Sequence, residues 1–379
     1  MNNVIVIGGG FAGLAAAKQF IRFPKEVRVT LIDKRKTSDF LPSLPDVIGR
    51  GINPESLRYS IEQFSKKNNC IFIQDEVIAI DIDKKTIATV RQVIGFDYLL
   101  IASGTETNFY GNALIQQNAF RLDSVADAQQ LAAAAHDDVY DSYIVAGAGY
   151  TGIEVATNLA VLFKKLNKIR KVVLVERAPT MLGPLPEWMK TYVFDNLIRL
   201  GIDVLTNCTV EKIEGRSVVV SGGNVFSNAL VVWVAGVKTP GYIQAINCEK
   251  NPQGRLKVDA YLRINESCFV AGDAAYVQHQ GNFLRMAIQF ALAQGACAAK
   301  NILRSINHKP LISYKPFDFG YIIPLANNRS CGTVLGINMK GRLPTLLHFF
   351  MCIFRSWDLK NKWGIIVSLV FHQRQKAGR

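Results

Sequence analysis

Two glycine-rich stretches, 139 positions apart, contain the residues whose types and spacing could do chemistry. They read Gly8-Gly9-Gly10-Phe11-Ala12-Gly13 and Gly147-Ala148-Gly149-Tyr150-Thr151-Gly152, and both have the spacing G-x-G-x-x-G. In such a stretch the first glycine permits a tight turn, the second lets the backbone approach a diphosphate, and the third lets a helix pack closely on a strand. The diphosphate lies at the helix N-terminus, where free N–H groups and the helix dipole favour an anion. Each stretch therefore predicts a dinucleotide-binding turn.

The elements around each stretch could position it. An apolar run precedes each one, Val4–Ile7 and Tyr143–Ala146, and a second apolar run after the helix ends on an acid, Asp33 or Glu176. Asp33 follows the last glycine of its stretch by 20 residues and Glu176 by 24, a spacing that suits an acid binding ribose hydroxyls. An acid at the second site disfavours a 2′-phosphate and indicates NAD rather than NADP, although Arg177 weakens this inference. Two dinucleotides in one chain indicate electron transfer.

Two further apolar strands end at residues that suit a cofactor. The run Phe96–Gly104 ends in small residues that could pass under a ring system. The run that begins at Cys268 ends on Gly272-Asp273 before a helix. The carboxylate of Asp273 can accept hydrogen bonds from a polyol such as a ribityl chain, and it can also cap the following helix.

The order of these elements predicts an α/β fold with two Rossmann-like dinucleotide-binding domains and a C-terminal region. We expect a discontinuous first domain over 1–112 and 241–330, a second domain over 113–240 inserted into it, and an amphipathic membrane-association region over 331–379. The first strand begins at Val4, so we do not expect a signal or transit peptide. We therefore expect a cytosolic compartment.

The C-terminal stretch combines positive charge with apolar residues. From Lys340 onward there are eight basic residues and one acid, which contribute half of the net charge of +14. Its apolar runs 343–354 and 363–371 are shorter than the roughly 20 residues that span a bilayer. Apolar helices interrupted by Lys, Arg and Trp favour a position in the membrane interface. A buried helix pair or a dimer contact stays open, whereas nucleic-acid binding is not expected, because the aromatic residues do not alternate with the basic ones.

The chain has seven scattered cysteines without a C-x-x-C pair or a metal-ligand spacing, so no metal site is predicted. A redox cysteine pair near the first stretch is excluded, because no cysteine precedes Cys70.

Together these residues resemble the two-dinucleotide flavoproteins of the FAD-dependent pyridine nucleotide-disulfide oxidoreductase superfamily. Within it the chain is most similar to the type II NADH dehydrogenases, which are NADH:quinone oxidoreductases. The narrower match is carried by Phe40–Pro45, Thr107–Gly111, Trp233–Val237, the helix around Gln289 and the basic, apolar C-terminus.

The resemblance implies FAD at the first stretch and NADH at the second. NADH would give a hydride to FAD, and electrons would then pass to a membrane quinone. It also implies two catalytic residues, Glu154 near the nicotinamide and flavin and Gln289 at the quinone site. The implied cofactor-binding residues are Gly8, Gly10, Phe11, Ala12, Gly13, Asp33, Lys34, Val77, Ala102, Gly104, Asp273, Gly147, Gly149, Gly152, Glu176 and Gly236.

The resemblance further implies a peripheral protein on the cytoplasmic face of the cell membrane, with a homodimer as one option. The chain departs from the family at Ala293, where a second glutamine is common, and Gln294 lies one residue further. A sulfide:quinone oxidoreductase or another flavin reductase is the alternative enzyme, and Cys331 could serve the former. A redox sensor or membrane scaffold that binds FAD and NADH is the non-enzymatic alternative.

Overall fold

The computed structural model describes residues 1–21, 23 and 26–377, and it contains two compact α/β units. Unit 1 comprises Met1–Ser38, Tyr59–Glu106 and Val237–Asp318, and unit 2 comprises Asp39–Arg58, Thr107–Gly236 and Phe319–Arg379. The strands are β1 Asn2–Ile7, β2 Val27–Asp33, β3 Thr37–Asp39, β4 Arg58–Ser60, β5 Ile71–Gln74, β6 Val77–Asp81, β7 Thr86–Thr89, β8 Val93–Gly95, β9 Tyr98–Ile101, β10 Glu106–Thr107, β11 Ser142–Ala146, β12 Lys171–Val175, β13 Ile202–Leu205, β14 Val210–Glu214, β15 Ser217–Val220, β16 Asn224–Phe226, β17 Ala229–Trp233, β18 Val237–Lys238, β19 Leu256–Lys257, β20 Cys268–Val270, β21 Ala275–Tyr276, β22 Gln278–His279, β23 Asn282–Phe283, β24 Gly320–Ile323, β25 Ser330–Val334 and β26 Ile337–Gly341. The helices are α1 Phe11–Phe20, α2 Leu44–Gly49, α3 Ile61–Lys67, α4 Ala113–Asn118, α5 Val125–His136, α6 Tyr150–Leu166, α7 Glu187–Arg199, α8 Gly241–Gln244, α9 Ile288–Ile306, α10 Arg342–Arg355 and α11 Leu359–Ala377, with 3-10 turns at Leu41–Ser43, Pro54–Leu57 and Gly272–Ala274.

Unit 1 is built on a parallel sheet with the strand order β20-β9-β1-β2-β5. The central strand β1 pairs in register with β2 on one side and with β9 on the other, so that Val4 lies opposite both Val29 and Tyr98. Its residues Val4–Ile7 are buried, as expected for a parallel strand with both faces covered. Helices α1 and α9 pack so closely that a Cβ on Gly295 would overlap the Ala12 carbonyl oxygen.

Unit 2 repeats this plan with the parallel order β13-β12-β11-β17. All five residues of β11 and all five of β17 are buried. One side of the sheet forms a hydrophobic cluster with α5, α6 and α7. The other side, which includes Trp233 of β17, packs against β14–β16. The two Rossmann-like units expected from the glycine stretches are therefore both present.

The C-terminal residues belong to unit 2 rather than to a separate region. The antiparallel sheet β24-β25-β26 contributes Ile323 and Cys331, and the segment between β24 and β25 contributes Leu325, to the same hydrophobic cluster as Val145 of β11. Residues 39–58 also fall in unit 2, where Ile48 of α2 joins this cluster. The sequence-based division placed 39–58 and 319–330 in the first domain and separated 331–379. The sequence-based division differs from the division in the structure because the packing contacts join segments that are distant along the chain.

The Pro-containing stretch Phe40–Pro45 is helical after Phe40. It forms a 3-10 turn at Leu41–Ser43 and the start of α2, with proline in the first turn of each. A proline there costs little, because the first N–H groups of a helix have no partner within the helix.

The helices α10 and α11 each have one buried and one exposed side. On α10, Phe349 and Cys352 are buried, and on α11 Asn361 and Ile365 are buried. The exposed side of α10 carries the large apolar residues Leu343, Leu346, Phe350 and Phe354. Within the described residues, no helix combines the length and apolar character that a membrane crossing requires.

Candidate functional site

The first glycine stretch forms a tight turn between β1 and α1. Gly8 has φ +102°, and a Cβ on it would overlap the Ala102 carbonyl group of the strand beside it. A Cβ on Gly13 would overlap the Gly8 carbonyl oxygen, so helix and turn are in direct contact. At Gly10, by contrast, no atom of the described residues outside the adjacent backbone lies within 4 Å of the Cβ position. The turn is therefore packed at its first and third glycines and open at its second, where a diphosphate would approach.

The second glycine stretch has the same geometry in unit 2. Gly147 has φ +107°, and a Cβ on it would lie 2.7 Å from the Val234 carbonyl oxygen. A Cβ on Gly152 would overlap the Gly147 carbonyl oxygen, and the Cβ position of Gly149 is open to 4 Å. Gly10 and Gly149 are the N-caps of α1 and α6, and neither helix start has a capping side-chain hydrogen bond. The N-terminus of each helix thus lies at a glycine turn, where the helix dipole and backbone N–H groups favour an anion.

The acids at the ends of β2 and β12 hold the glycine turns in place. Asp33 accepts hydrogen bonds from the Gly9 N–H (2.7 Å) and the Arg35 N–H (2.8 Å). Glu176 accepts equivalent bonds from the Ala148 N–H (2.8 Å) and the Ala178 N–H (2.9 Å). A carboxylate has about four acceptor positions, so each acid can still accept ribose hydroxyls. Sequence reasoning identified both acids but not their bonds to the turns.

Asp273 lies in a turn that two buried side chains stabilise. The amide oxygen of Gln294 accepts a hydrogen bond from the Gly272 N–H (2.8 Å), and Gln294 is 3% exposed. Arg255 donates from Nε to the Asp273 carbonyl oxygen (3.0 Å) and from Nη2 to that of Ala275 (2.6 Å). Burial raises the pKa of Asp273, and the positive charge of Arg255 opposes this rise. Gln294 therefore positions the turn, which explains its place on a different helix face from Ala293.

The remaining predicted cofactor residues of unit 1 differ in exposure. Ala12 is buried where α1 meets α9, and Val77 is buried at the start of β6. Ala102 is buried and Gly104, with φ +68°, has no atom within 4 Å of its Cβ position. The remaining two are Phe11, the first residue of α1, and Lys34, whose exposed ammonium group is 3.2 Å from Glu76 Oε1.

In unit 2 the predicted residue Gly236 lies against the hydroxyl end of the Tyr110 side chain. A Cβ on Gly236 would overlap Tyr110 Oη, and this hydroxyl donates to the Ala235 carbonyl oxygen at 3.3 Å. The Asn108 N–H donates to the Gly236 carbonyl oxygen at 2.9 Å. The stretch around Tyr110 thereby fixes the residues that follow β17.

Glu154 lies in the second turn of α6, close to a second acid that sequence reasoning missed. This acid is Asp46 of α2, and Arg50 binds its Oδ1 through Nε at 2.9 Å. Burial raises the pKa of Glu154 well above its usual value, the negative charge of Asp46 raises it further, and Arg50 opposes both. Burial also raises the pKa of Asp46 to about 6 against the lowering effects of Arg50 and Asn158.

Gln289 lies in the first turn of α9 and is held by a carboxylate. Its Nε2 donates to Asp318 Oδ1 at 2.8 Å. Arg285 Nη2 donates to the same oxygen at 2.8 Å, and its Nη1 donates to Oδ2. Because Nε2 faces the carboxylate, the Gln289 amide has a defined orientation. Asp318 has no recognisable sequence signal, since it lies 29 residues away in an irregular segment.

Comparisons with known proteins show what this chain is similar to. The family model described as pyridine nucleotide-disulphide oxidoreductase matches residues 2–296. The chain is 28% identical over 368 residues to the type II NADH:quinone oxidoreductase of Staphylococcus aureus (strain NCTC 8325), with 89% of this chain and 91% of the relative covered.

Solved structures agree with the fold. The structure of NDH2 from Plasmodium falciparum in complex with NADH superposes with a TM-score of 0.84 at 17% identity, covering 97% of each chain. The sulfide:quinone oxidoreductase from Aquifex aeolicus superposes with a TM-score of 0.79 at 20% identity, covering 96% of this chain and 92% of that one. The duplicated glycine turns, the α/β fold and the family match over 2–296 lead to one conclusion: the chain belongs to the pyridine nucleotide-disulphide oxidoreductase family.

Proposed function

We propose that this protein is an FAD-dependent NADH:quinone oxidoreductase of the type II kind. The observation that carries the proposal is the repeated turn, packed at its first and third glycines and open at its second, once in each unit. Two such turns fit two dinucleotides, and the S. aureus relative is named for the oxidation of NADH by a quinone. When bound, FAD supplies the two-electron chemistry that links a hydride donor to a quinone.

In unit 1 the residues that would hold FAD are the predicted ones. The open side of the Gly10 turn suits the diphosphate, because it lies at the N-terminus of α1, where the helix dipole favours an anion. Asp33 has acceptor positions left for ribose hydroxyls. Asp273 is held in its turn by Arg255 and is suited to accept hydrogen bonds from the ribityl hydroxyls.

In unit 2 the turn at Gly149 would hold the diphosphate of NADH. Glu176 offers a carboxylate to the ribose of the adenosine half and repels a 2′-phosphate, which supports NADH over NADPH. Glu154 and Gly236 would lie toward the nicotinamide half. Burial raises the pKa of Glu154 well above its usual value, which favours the protonated carboxyl group, the form that can donate a proton or a hydrogen bond.

Gln289 would bind the quinone through its amide group. The carboxylate of Asp318 accepts a hydrogen bond from Nε2 and thereby orients the amide group, whose chemistry suits hydrogen bonding to a quinone or a quinol. Arg285 fixes Asp318 through both oxygens and neutralises its charge. Asp318 and Arg285 are therefore positioning residues for Gln289.

We further propose that the protein associates peripherally with the cytoplasmic face of the membrane through α10. Leu343, Leu346, Phe350 and Phe354 recur at helical spacing and are each more than half exposed. The basic residues of the C-terminal stretch would favour anionic lipids beside this apolar side. The homodimer stays a prediction. Light scattering of the purified protein would test it by measuring the oligomeric state.

The alternative as a sulfide:quinone oxidoreductase has weaker support. Cys331 is fully buried in the core of unit 2, and burial raises the pKa of its thiol to about 12. A thiol that must attack sulfide-derived sulfur needs access and a thiolate form. We therefore interpret Cys331 as a residue that packs in the core.

The experiment that tests the proposed function is anaerobic spectroscopy of the purified protein. We expect a bound flavin spectrum, bleaching on addition of one equivalent of NADH, and recovery of the spectrum on addition of a soluble quinone. Bleaching without recovery would favour the redox-sensor alternative. Absence of flavin from the native protein would refute the proposal.

A further inference from the structure

A tyrosine side chain lies beside the glycine turn of unit 2. Tyr110 Oη donates a hydrogen bond to the Ala235 carbonyl oxygen at 3.3 Å. Ala235 in turn lies against the glycine turn, because a Cβ on Gly147 would be only 2.7 Å from the Ala235 Cα. All three residues belong to unit 2. Two contacts therefore connect the phenol ring to the turn proposed to bind a dinucleotide.

The order of the strands indicates which half of the dinucleotide would lie near Tyr110. The parallel order is β13-β12-β11-β17, and the glycine turn follows β11. Glu176, the acceptor proposed for the adenosine ribose, follows β12 on one side of β11. Tyr110 contacts Ala235, which follows β17 on the other side. A dinucleotide with its diphosphate at the turn extends across the carboxyl ends of these strands, so its nicotinamide half would lie on the side of Tyr110.

The residues before Tyr110 are fixed on the end of β17. The Asn108 N–H donates to the Gly236 carbonyl oxygen at 2.9 Å, and the Asn108 carbonyl oxygen accepts a hydrogen bond from Trp233 Nε1 at 2.8 Å. The Phe109 ring is 8% exposed and stacks on the Trp233 ring, with 6.3 Å between the ring centres. The backbone that carries Tyr110 is therefore held in place without a nucleotide.

Tyr110 itself has a backbone conformation that bulky residues rarely adopt. Its φ is +51°, and that of the following Gly111 is +77°. The left-handed region is unfavourable for a residue with a Cβ, and such conformations occur most often at functional sites, where the surroundings impose them. Asn108 contributes here, because its Oδ1 accepts the Tyr110 N–H at 2.9 Å. The turn directs Tyr110 outward, so that it is 60% exposed while Phe109 beside it is buried.

We propose that the Tyr110 ring stacks on the nicotinamide ring and makes Tyr110 a specificity-determining residue of the second dinucleotide site. The stacking rests on the proposed function, because it requires NADH at the second glycine turn. A largely exposed phenol ring offers contact area to a flat ring of similar size. Because the backbone is already fixed, ordering this side chain costs little entropy on binding.

The stacking should also distinguish the two redox states of the nucleotide. The nicotinamide ring of NADH is neutral, whereas that of NAD carries a positive charge after the hydride has left. The face of an aromatic ring is electronegative and attracts a cation. We therefore expect the Tyr110 ring to stabilise bound NAD more than bound NADH.

Nucleotide affinities of Tyr110→Leu and Tyr110→Phe test the stacking. NAD and ADP-ribose, which lacks the nicotinamide ring, are titrated into the oxidised holoprotein. NADH is titrated into holoprotein whose flavin has been reduced with dithionite, so that no hydride is transferred. In Tyr110→Leu we expect about 5- to 10-fold weaker binding of NADH and a further loss of about 2- to 5-fold for NAD. ADP-ribose should bind to Tyr110→Leu as it does to the wild type, and Tyr110→Phe, which keeps the ring, should bind all three nucleotides like the wild type.

Phe194→Leu is the matched control. Phe194 is also an aromatic residue of unit 2 and is 44% exposed, but it lies on α7. Its replacement should leave all three affinities unchanged, and a loss equal to that of Tyr110→Leu would overturn the proposal. Three further results would also overturn it: unchanged affinity of Tyr110→Leu for NADH and NAD, an equal loss for ADP-ribose, or an equal loss in Tyr110→Phe.

The wild type alone gives a second measurement, which does not depend on the folding of a variant. NAD should bind to it at least about fivefold more tightly than ADP-ribose, and equal affinities would overturn the stacking. A wild type that binds none of the three nucleotides would refute the proposed function and the stacking with it. A wild type that binds NADH with an affinity independent of Tyr110 would refute the stacking alone.

Discussion

Replacing Glu176 by alanine tests the second dinucleotide site most directly. The carboxylate of Glu176 accepts the Ala148 N–H at 2.8 Å and the Ala178 N–H at 2.9 Å. Ala148 is fully buried, whereas Ala178 is exposed and can bond to water instead. The substitution therefore leaves one buried donor in the glycine turn without its acceptor and removes the acceptor proposed for the ribose.

The size of both effects follows from these contacts. An unsatisfied buried N–H costs roughly 1–3 kcal/mol, so we expect a loss of about 2 kcal/mol in the stability of unit 2. For a unit of this size that corresponds to a melting temperature lower by about 4–8 °C. A lost hydrogen bond between a ribose hydroxyl and the carboxylate is worth about 1.5–3 kcal/mol, so NADH should bind about 10- to 100-fold more weakly.

NADPH should respond differently. Removing the carboxylate also removes its repulsion of a 2′-phosphate, which favours NADPH binding. The ratio of NADH affinity to NADPH affinity should therefore fall by a larger factor than the NADH affinity itself. Calorimetric titration with both nucleotides, beside thermal unfolding without nucleotide, measures all three quantities. Glu187→Ala is the control, because the Glu187 side chain is 79% exposed and only pairs with Lys190 at 3.6 Å.

The reasoning is refuted in separable ways. Unchanged affinity for both nucleotides would remove Glu176 from the ribose site. An unchanged melting temperature would show that the glycine turn does not depend on its bond to the carboxylate.

Three further predictions concern other parts of the molecule. Gly152→Ala should prevent NADH binding and lower the yield of folded protein, because its Cβ would overlap the turn. Gly149→Ala should fold normally and weaken only NADH binding. Equal yields of folded protein for the two variants would contradict this prediction. Asp318→Asn should raise the KM for quinone about tenfold, because Gln289 loses a charged acceptor worth about 1.5 kcal/mol, while NADH-dependent bleaching of the flavin stays unchanged; an unaltered KM would remove Asp318 from its positioning role. Leu346→Glu should reduce binding to anionic vesicles in a sedimentation assay without changing the melting temperature, because this side chain is 65% exposed, and undiminished binding would place the contact elsewhere.

Sequence reasoning located the parts of the sites that are local in the chain. Each glycine stretch, its preceding strand and the acid after the next strand lie within about 35 residues, and the constraint acts through backbone geometry that only glycine satisfies. The structure has the expected turn at both positions, with positive φ at Gly8 and Gly147. Asp33 and Glu176 lie at the strand ends where the pattern predicts them.

The parts that could not be predicted depend on contacts between distant segments. Asp46 and Glu154 come from two helices, and no periodicity connects them. The packing of α10 depends on which apolar residues face inward, and its composition alone does not distinguish Phe349, which is buried, from Phe350, which is exposed. Gln294 likewise reads as an ordinary helix glutamine until its bond to Gly272 is known.

The close packing of α1 against α9 also has a consequence for the order in which the chain can fold during synthesis. The two helices are separated by almost 270 residues, and the ribosome adds roughly 5–20 residues per second, so α1 waits on the order of 15–60 s for its partner. The edge strand β20, which carries the turn of Asp273, emerges only shortly before α9. The strands β11, β12, β13 and β17 of the other sheet all emerge within that interval. The first helix made is thus among the last to be buried, and a chaperone that covers the small-residue face of α1 would act during this delay.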